Sequence, residues 1–203
     1  MMYDLSIKDG EILTKAARNI VTEFLKNNKK PQSELDSRFS AQAGVFVTLN
    51  KNNDLRGCIG YPLPSQSLSK GLEDAALAAA LDDPRFDSVT LDELDSITFE
   101  ITVLTPPQRI SVNDIMEYPS KIKIGRDGLI VKHSLHSGLL LPQVPVEYGW
   151  NEEEFLEHTC EKAGLAKNFW RYNEMEISKF QGIIFKEEEP NGRIIKASLC
   201  DRL

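Results

Sequence analysis

The residues best suited to chemistry stand together in one short stretch, Leu-Arg-Gly-Cys-Ile-Gly-Tyr-Pro at 55–62. Read as a strand, it puts Arg56 and Cys58 on one face and Leu55, Gly57 and Ile59 on the other, because side chains alternate. A guanidinium beside a thiol favours the thiolate, which is the nucleophilic form. Gly57 and Gly60 would let a second backbone or a ligand approach closely. The stretch therefore offers a thiolate or an anion-binding spot. The competing reading is a packed core cysteine with Arg56 answering a carboxylate, since free cysteine is among the most buried residue types.

A second candidate is Gly-Leu-Leu-Leu-Pro-Gln-Val-Pro-Val-Glu-Tyr-Gly-Trp at 138–150. Two prolines would hold an extended chain that ends in Gln143 and Glu147 beside Tyr148 and Trp150, which suits a pocket wall. A buried connector whose glutamine satisfies backbone groups is an equal alternative. His133 and His136 lie in a β or turn pattern, where their spacing does not put them on one face. His158 and Cys160 point to different sides of a helix, and neither Cys-x-x-Cys nor His-Glu-x-x-His occurs. No metal site built from protein ligands alone is expected. Asp82-Asp83-Pro84-Arg85 reads as a helix end with a capping carboxylate and an answering arginine. Gly125-Arg126-Asp127-Gly128 reads as a tight turn and not a phosphate loop. Lys186-Glu187-Glu188-Glu189 reads as a solvated face.

The elements that must position these residues follow from periodicity. Ile12, Leu13, Ala16, Ala17, Ile20, Val21, Phe24 and Leu25 recur at helical spacing, and Asn27-Asn28 followed by Pro31 closes that helix. Val45, Val47 and Leu49 alternate with Phe46 and Thr48 ahead of the Arg-Gly-Cys strand, so a hairpin with a loop of about five residues at 50–54 is expected. A helix through Ala75–Ala80 has side chains small enough for something to pack close against it. Ile97, Phe99, Ile101 and Val103 mark another strand. Residues from about 106 to 145 break into short β-like pieces with Gly-containing turns, either a small β-rich lobe or an extension of the main sheet. A helix begins at Asn151, and strand, Pro-Asn-Gly turn and strand close the chain. Frequent hairpins favour an α+β fold, with a mostly antiparallel sheet flanked by helices, over a doubly wound parallel sheet.

Composition narrows the function classes. The 203 residues suffice for one core, or a core with a smaller lobe. A net charge of −7 argues against gripping nucleic acid by bulk charge. No apolar run approaches the roughly 20 residues that span a bilayer, and the N-terminus lacks the apolar block of a signal peptide. A cytoplasmic location is expected, with Cys58, Cys160 and Cys200 as free thiols.

Taken in order, the stretches Leu-Arg-Gly-Cys-Ile-Gly-Tyr-Pro, Ala-Leu-Ala-Ala-Ala-Leu-Asp-Asp-Pro-Arg-Phe, Phe-Glu-Ile-Thr-Val-Leu-Thr-Pro-Pro, Gly-Arg-Asp-Gly-Leu-Ile-Val and the 138–150 block resemble the AMMECR domain family. The resemblance runs from about residue 9 to 187, treats 1–203 as a single AMMECR domain, and is similar to prokaryotic, archaeal members. It implies two unequal lobes with a cleft between them, and a functional site at Leu55–Gly60. It implies a location and not a reaction, and it names no cofactor. Relatives fused to or encoded beside Memo-like and radical-SAM-like proteins imply a shared pathway or complex. Family members often carry histidine where Asp127 stands, which argues against a general base there. The tail after about 188 departs from the family pattern.

Two functions are expected to compete. One is a binding module for a small anionic ligand or a protein partner, with Arg56 as anchor and Gly57, Gly60 and Gln143 lining the site. The other is an enzyme in which Cys58 is the nucleophile, Arg56 its charge partner, and Gln143 and Glu147 orient groups or shuttle protons. Nucleic-acid binding ranks third.

Overall fold

The computed structural model describes residues 5–30, 35–172 and 174–197. In chain order its elements are α1 (Ile7–Asn27), β1 (Gly44–Lys51), β2 (Asp54–Tyr61), α2 (Leu68–Leu81), β3 (Ile97–Leu104), β4 (Gln108–Arg109), β5 (Gly128–His133), β6 (His136–Leu140), α3 (Val144–Tyr148), α4 (Glu152–Lys162), β7 (Glu176–Phe180), β8 (Gly182–Glu187) and β9 (Ile194–Ala197), with short 3-10 turns between. The fold is α+β. The chain divides into two units: one runs to Thr105 and resumes at Ile183, and the other is Pro106–Gly182.

The first unit holds a sheet in the order β2-β1-β3-β8-β9. β1 pairs antiparallel with both β2 and β3, and β8 pairs antiparallel with β9. Val45, Val47, Leu49, Ile97, Phe99, Ile101 and Val103 are fully buried and form the core with α1 and α2. α1 starts at Ser6, whose hydroxyl accepts the Asp9 N–H while the Asp9 carboxylate accepts the Ser6 N–H at 2.8 Å, a reciprocal cap. It ends at Asn28 in the left-handed region, φ 50°. Leu13, Ala17, Ile20 and Val21 are its buried stripe. Ile12, expected in the stripe, is 37 % exposed, one residue to the side of the contact line.

The loop between β1 and β2 is tighter than its composition suggests. Pairing continues through Lys51 and Asp54, leaving a two-residue turn of Asn52 and Asn53, both at positive φ (53° and 70°). Two left-handed central residues make a type I′ turn, whose twist matches the strands. The register then slips: Leu49 faces Gly57 but Asn50 faces Leu55, so Arg56 is the extra residue of a bulge. Leu49 and Asn50 point to opposite faces, so Leu55 does not share a face with Gly57 as strict alternation requires; it is 40 % exposed.

The Lys186–Glu189 run is a solvated face only in part: Glu188 and Glu189 are exposed, but Glu187 turns inward. Glu187 is buried and takes a two-pronged grip from Arg18 of α1: Arg18 Nε donates to Oε1 at 2.9 Å, and Nη2 donates to Oε2. Arg18 also donates to the Leu94 and Ile97 carbonyls, and Glu187 accepts the Phe99 N–H at 2.9 Å. A buried pair survives only when its remaining donors and acceptors are also satisfied, as here. The departing tail, as far as Ala197, supplies the outer strand β9: Ile194 is in the core and Lys196 Nζ donates to the Leu5 carbonyl at 3.2 Å. Pro31 and Cys200, both read from sequence, lie outside the described residues.

The second unit carries the sheet β4-β7-β5-β6. It continues well beyond residue 145 because β7 pairs antiparallel with β5 and α4 supplies Phe155, Leu156 and Cys160 to the core around Leu129, Val131, Trp170 and Ile177. Asn151 caps α4, its side chain accepting from the Glu153 and Glu154 N–H groups. The expected extended chain is instead a turn at Pro142-Gln143 that leads into α3: Pro145 sits in the first turn of that helix, where its missing N–H costs nothing. Among the described residues, no helix is long and apolar enough to cross a membrane.

Candidate functional site

Cys58 is half-buried on β2, directly opposite Thr48 of β1, and Thr48 is in turn opposite Glu100 of β3. The Cys58 Sγ lies 3.3 Å from the Thr48 hydroxyl. Cys58, Thr48 and Glu100 thus form one row across three strands, on the face turned away from the apolar set. The thiol's backbone is held from the loop after α2. The Cys58 N–H donates to Asp83 Oδ2 at 2.8 Å, and its carbonyl accepts from Arg85 Nη2 at 3.3 Å. Arg85 and Asp83 are themselves paired, Nε to Oδ1 at 2.9 Å and Nη2 to Oδ2 at 2.7 Å.

The electrostatics follow from this clamp. Arg85's hydrogen bonds hold the buried Asp83 carboxyl well below the usual carboxylate range, helped by the Cys58 N–H and opposed by burial. Asp83's hydrogen bonds in return raise the Arg85 pKa, opposed by burial.

Arg56 is placed differently from its expected role. Its Nε and Nη2 donate to the two oxygens of Glu93 at 3.2 and 3.0 Å, and Nη1 donates to the Asp87 carbonyl at 2.8 Å. Glu93 also accepts from Lys51 Nζ at 2.9 Å and from the Thr90 N–H at 3.0 Å. Arg56 foremost, with Lys51 and the Thr90 N–H, lowers the Glu93 pKa to about 2. The guanidinium read as the thiol's partner is thus committed to a carboxylate, and the cation at Cys58 is Arg85.

The two glycines read as ligand-facing have packing roles. A Cβ on Gly57 would lie 2.1 Å from the Ala79 carbonyl oxygen, so Gly57 is where β2 rests on the backbone of α2. This is the close contact that the alanine-rich helix allows. A Cβ on Gly60 would lie 2.3 Å from the Phe46 ring and 2.5 Å from the Val45 carbonyl oxygen. Gly60 is roofed by its cross-strand neighbour Phe46.

Gln143 and Glu147 belong to the second unit. The Gln143 carbonyl accepts the Val146 and Glu147 N–H groups and so begins α3, while the Glu147 side chain is exposed. His133 and His136 face each other across the β5–β6 turn, yet their Nδ1 atoms lie by different carbonyls, of Glu174 at 3.2 Å and Ala163 at 3.1 Å. Among the described residues no group of three or more His, Cys, Asp and Glu side chains could hold a metal.

Sequence reasoning missed Thr48, Glu100 and Arg85 as neighbours of Cys58, although Arg85 does answer the Asp83 carboxylate as its segment suggests. A signal existed for each. Thr48 and Glu100 are polar residues at the intervening positions of the apolar alternation in β1 and β3, and so share the face opposite the apolar set. Asp83 and Arg85 follow the helix that packs on the Arg-Gly-Cys strand.

The AMMECR1 family model matches residues 14–185. A protein of Methanocella arvoryzae is 48 % identical over 198 residues, covering 97 % of this chain and all of that one. Protein MJ0810 of Methanocaldococcus jannaschii is 46 % identical over 197 residues, covering 96 % of this chain and 98 % of the other. The crystal structure of uncharacterized protein PH0010 from Pyrococcus horikoshii superimposes with a TM-score of 0.76 at 47 % identity, covering 93 % of this chain and 96 % of that one. With a family match over most of the chain and near-full-length archaeal relatives approaching half identity, this chain belongs to the AMMECR1 family.

Proposed function

We propose that the Leu55–Gly60 block is a binding surface for a small anionic ligand or an acidic partner segment, with Arg85 supplying the accessible cation. One observation carries this reading: the Arg85 side chain is 53 % exposed while that of Arg56 is 15 % exposed. The Arg85 Nε and Nη2 donors are used by Asp83 and the Cys58 carbonyl, which leaves the two Nη1 N–H groups for an incoming anion. An anion at Arg56 would first have to displace Glu93. Cys58 and Thr48 then form a small polar floor. A Memo-like or radical-SAM-like protein is the partner class that the family resemblance suggests. A reducing cytoplasmic setting suits the reading, because there Cys58 stays a free thiol and forms no disulfide across the site.

The test is a thermal-shift and calorimetric screen against inorganic phosphate and small carboxylates. Arg85→Ala should abolish the response, and Cys58→Ser should keep it. A hit indifferent to Arg85→Ala would sink the reading.

A second reading is favoured by the same guanidinium. Arg85 lies at the cysteine's own carbonyl, so Cys58 could act as a thiolate nucleophile with Arg85, in place of Arg56, as its charge partner. Iodoacetamide alkylation across pH separates the two. A Cys58 that reacts at pH 7 no faster than a free model thiol rules out the enzyme.

A further inference from the structure

We infer that the ring stack Tyr148–Trp150–His158 in the second unit is a docking platform for an arginine-bearing segment of a partner protein. Trp150 packs on the unit's core and stacks with two further rings. The Tyr148 ring stacks on Trp150 at 4.9 Å and 17°, and Trp150 stacks on His158 at 3.8 Å and 13°. The chain is bent for this purpose. Gly149 takes a left-handed φ of 68° directly after α3, so residues two apart bring their rings face to face. His158 is fixed from behind by Glu161, 2.7 Å from its Nδ1.

The outermost ring has no structural need to be large. Tyr148 is 68 % exposed, among the most exposed large hydrophobic side chains of the described residues. An ordered ring with one face on a stack and the other open to water is a ready seat for a flat group. Its surroundings select the group's charge. Residues 147–161 contain six glutamates and neither lysine nor arginine. Glu153 and Glu157 are answered by Arg171, Glu161 by Lys167, and Glu154 accepts the Asn151 N–H. Among the described residues, Glu147 and Glu152 form no ion pair, and Glu147 immediately precedes the open ring. A planar cation is the complementary guest: guanidinium is weakly hydrated, stacks on aromatic faces and carries the charge that a glutamate-rich segment attracts. An ammonium is a strongly hydrated point charge and fits less well. A nucleotide base would stack too, but its phosphates would meet the glutamates.

The experiment titrates the intact protein with a blocked Gly-Arg-Gly peptide and follows the Trp150 indole N–H by NMR, resolved from buried Trp170. Citrulline and lysine peptides are the controls. The arginine peptide should shift the Trp150 signal saturably, and more at low salt. Tyr148→Ala and Glu147→Gln should each weaken it about two- to fivefold, in line with an exposed cation–π contact, while Tyr148→Phe should retain it. Because Tyr148 is largely exposed, its variants should melt as the parent does. Equal shifts from the citrulline peptide, unchanged binding by Tyr148→Ala, or a response to AMP but not to the arginine peptide would each overturn the proposal. Arg85→Ala should leave this titration unaltered, so it stands or falls apart from the site on β2.

Discussion

Replacing Gly57 with alanine tests the central packing claim, because the obstacle is backbone. The new Cβ would sit 2.1 Å from the Ala79 oxygen and 3.2 Å from its carbonyl carbon, against the 3.4 Å at which ordinary contact begins. Strand and helix must therefore separate by about 1.3 Å at that point, the difference between 3.4 and 2.1 Å. No smaller side chain at position 79 relieves the clash, since the oxygen remains. Separation also loosens the fully buried Ala75 and Ala76 on the same helix. Overpacking of a tight core costs about 1–3 kcal/mol, and the upper part of that range applies when backbone must move. For a chain of this size that is a fall in Tm of roughly 4–12 °C, taking about 2–4 °C per kcal/mol. Calorimetry and circular dichroism of Gly57→Ala, alone and with Ala79→Gly, are the assays. The double variant should be no more stable than the single one. A Gly57→Ala protein that melts with the parent, but loses its ligand, would show that this glycine clears space for a guest and would refute the packing argument.

Three further outcomes follow. The Glu93 pKa is lowered from 4.5 to about 2, so its pairing with Arg56 contributes stability that is present above about pH 4.5 and lost as the pH falls toward 2; Glu93→Gln should flatten acid-unfolding curves within that window. Burial pushes the Cys160 thiol up to about 11 from 9.0, so its contribution is intact below pH 9 and lost as pH rises toward 11; in a Cys200→Ser background, Ellman's reagent should reach Cys58 well before Cys160, and Cys160 only on unfolding. Arg18→Met leaves Glu187 buried and unanswered and should cost about 3–5 kcal/mol in urea titration, much of it restored by adding Glu187→Leu.

How far the fold could be read from sequence depends on how local each determinant is. The strand Ile97–Val103 was legible because strict alternation needs no knowledge of the partner strand. The Cys58 strand was legible as a strand, but the face of Leu55 was not, since a bulge depends on what β1 offers across the ladder. Arg18 and Glu187 are 169 positions apart, and each looks like an ordinary surface residue in its own segment. For the same reason the arginine nearest in sequence to the thiol was taken as its partner, while the loop after α2 brings up another. Pro142 and Pro145 suggested extended chain because proline's fixed φ suits both an extended strand and a first helical turn.

β2 ends its sheet, so at Cys58 it would offer a free N–H and a free C=O to any passing strand. Such borders are templates on which chains add to one another and aggregate. Here the Asp83 carboxylate occupies the place of a neighbouring carbonyl, and the Arg85 guanidinium that of a neighbouring amide. Two side chains impersonate the missing strand, and the sheet is closed to lateral growth at Cys58. Strong acid, by protonating Asp83, would remove the impostor and leave that border open to copies of itself.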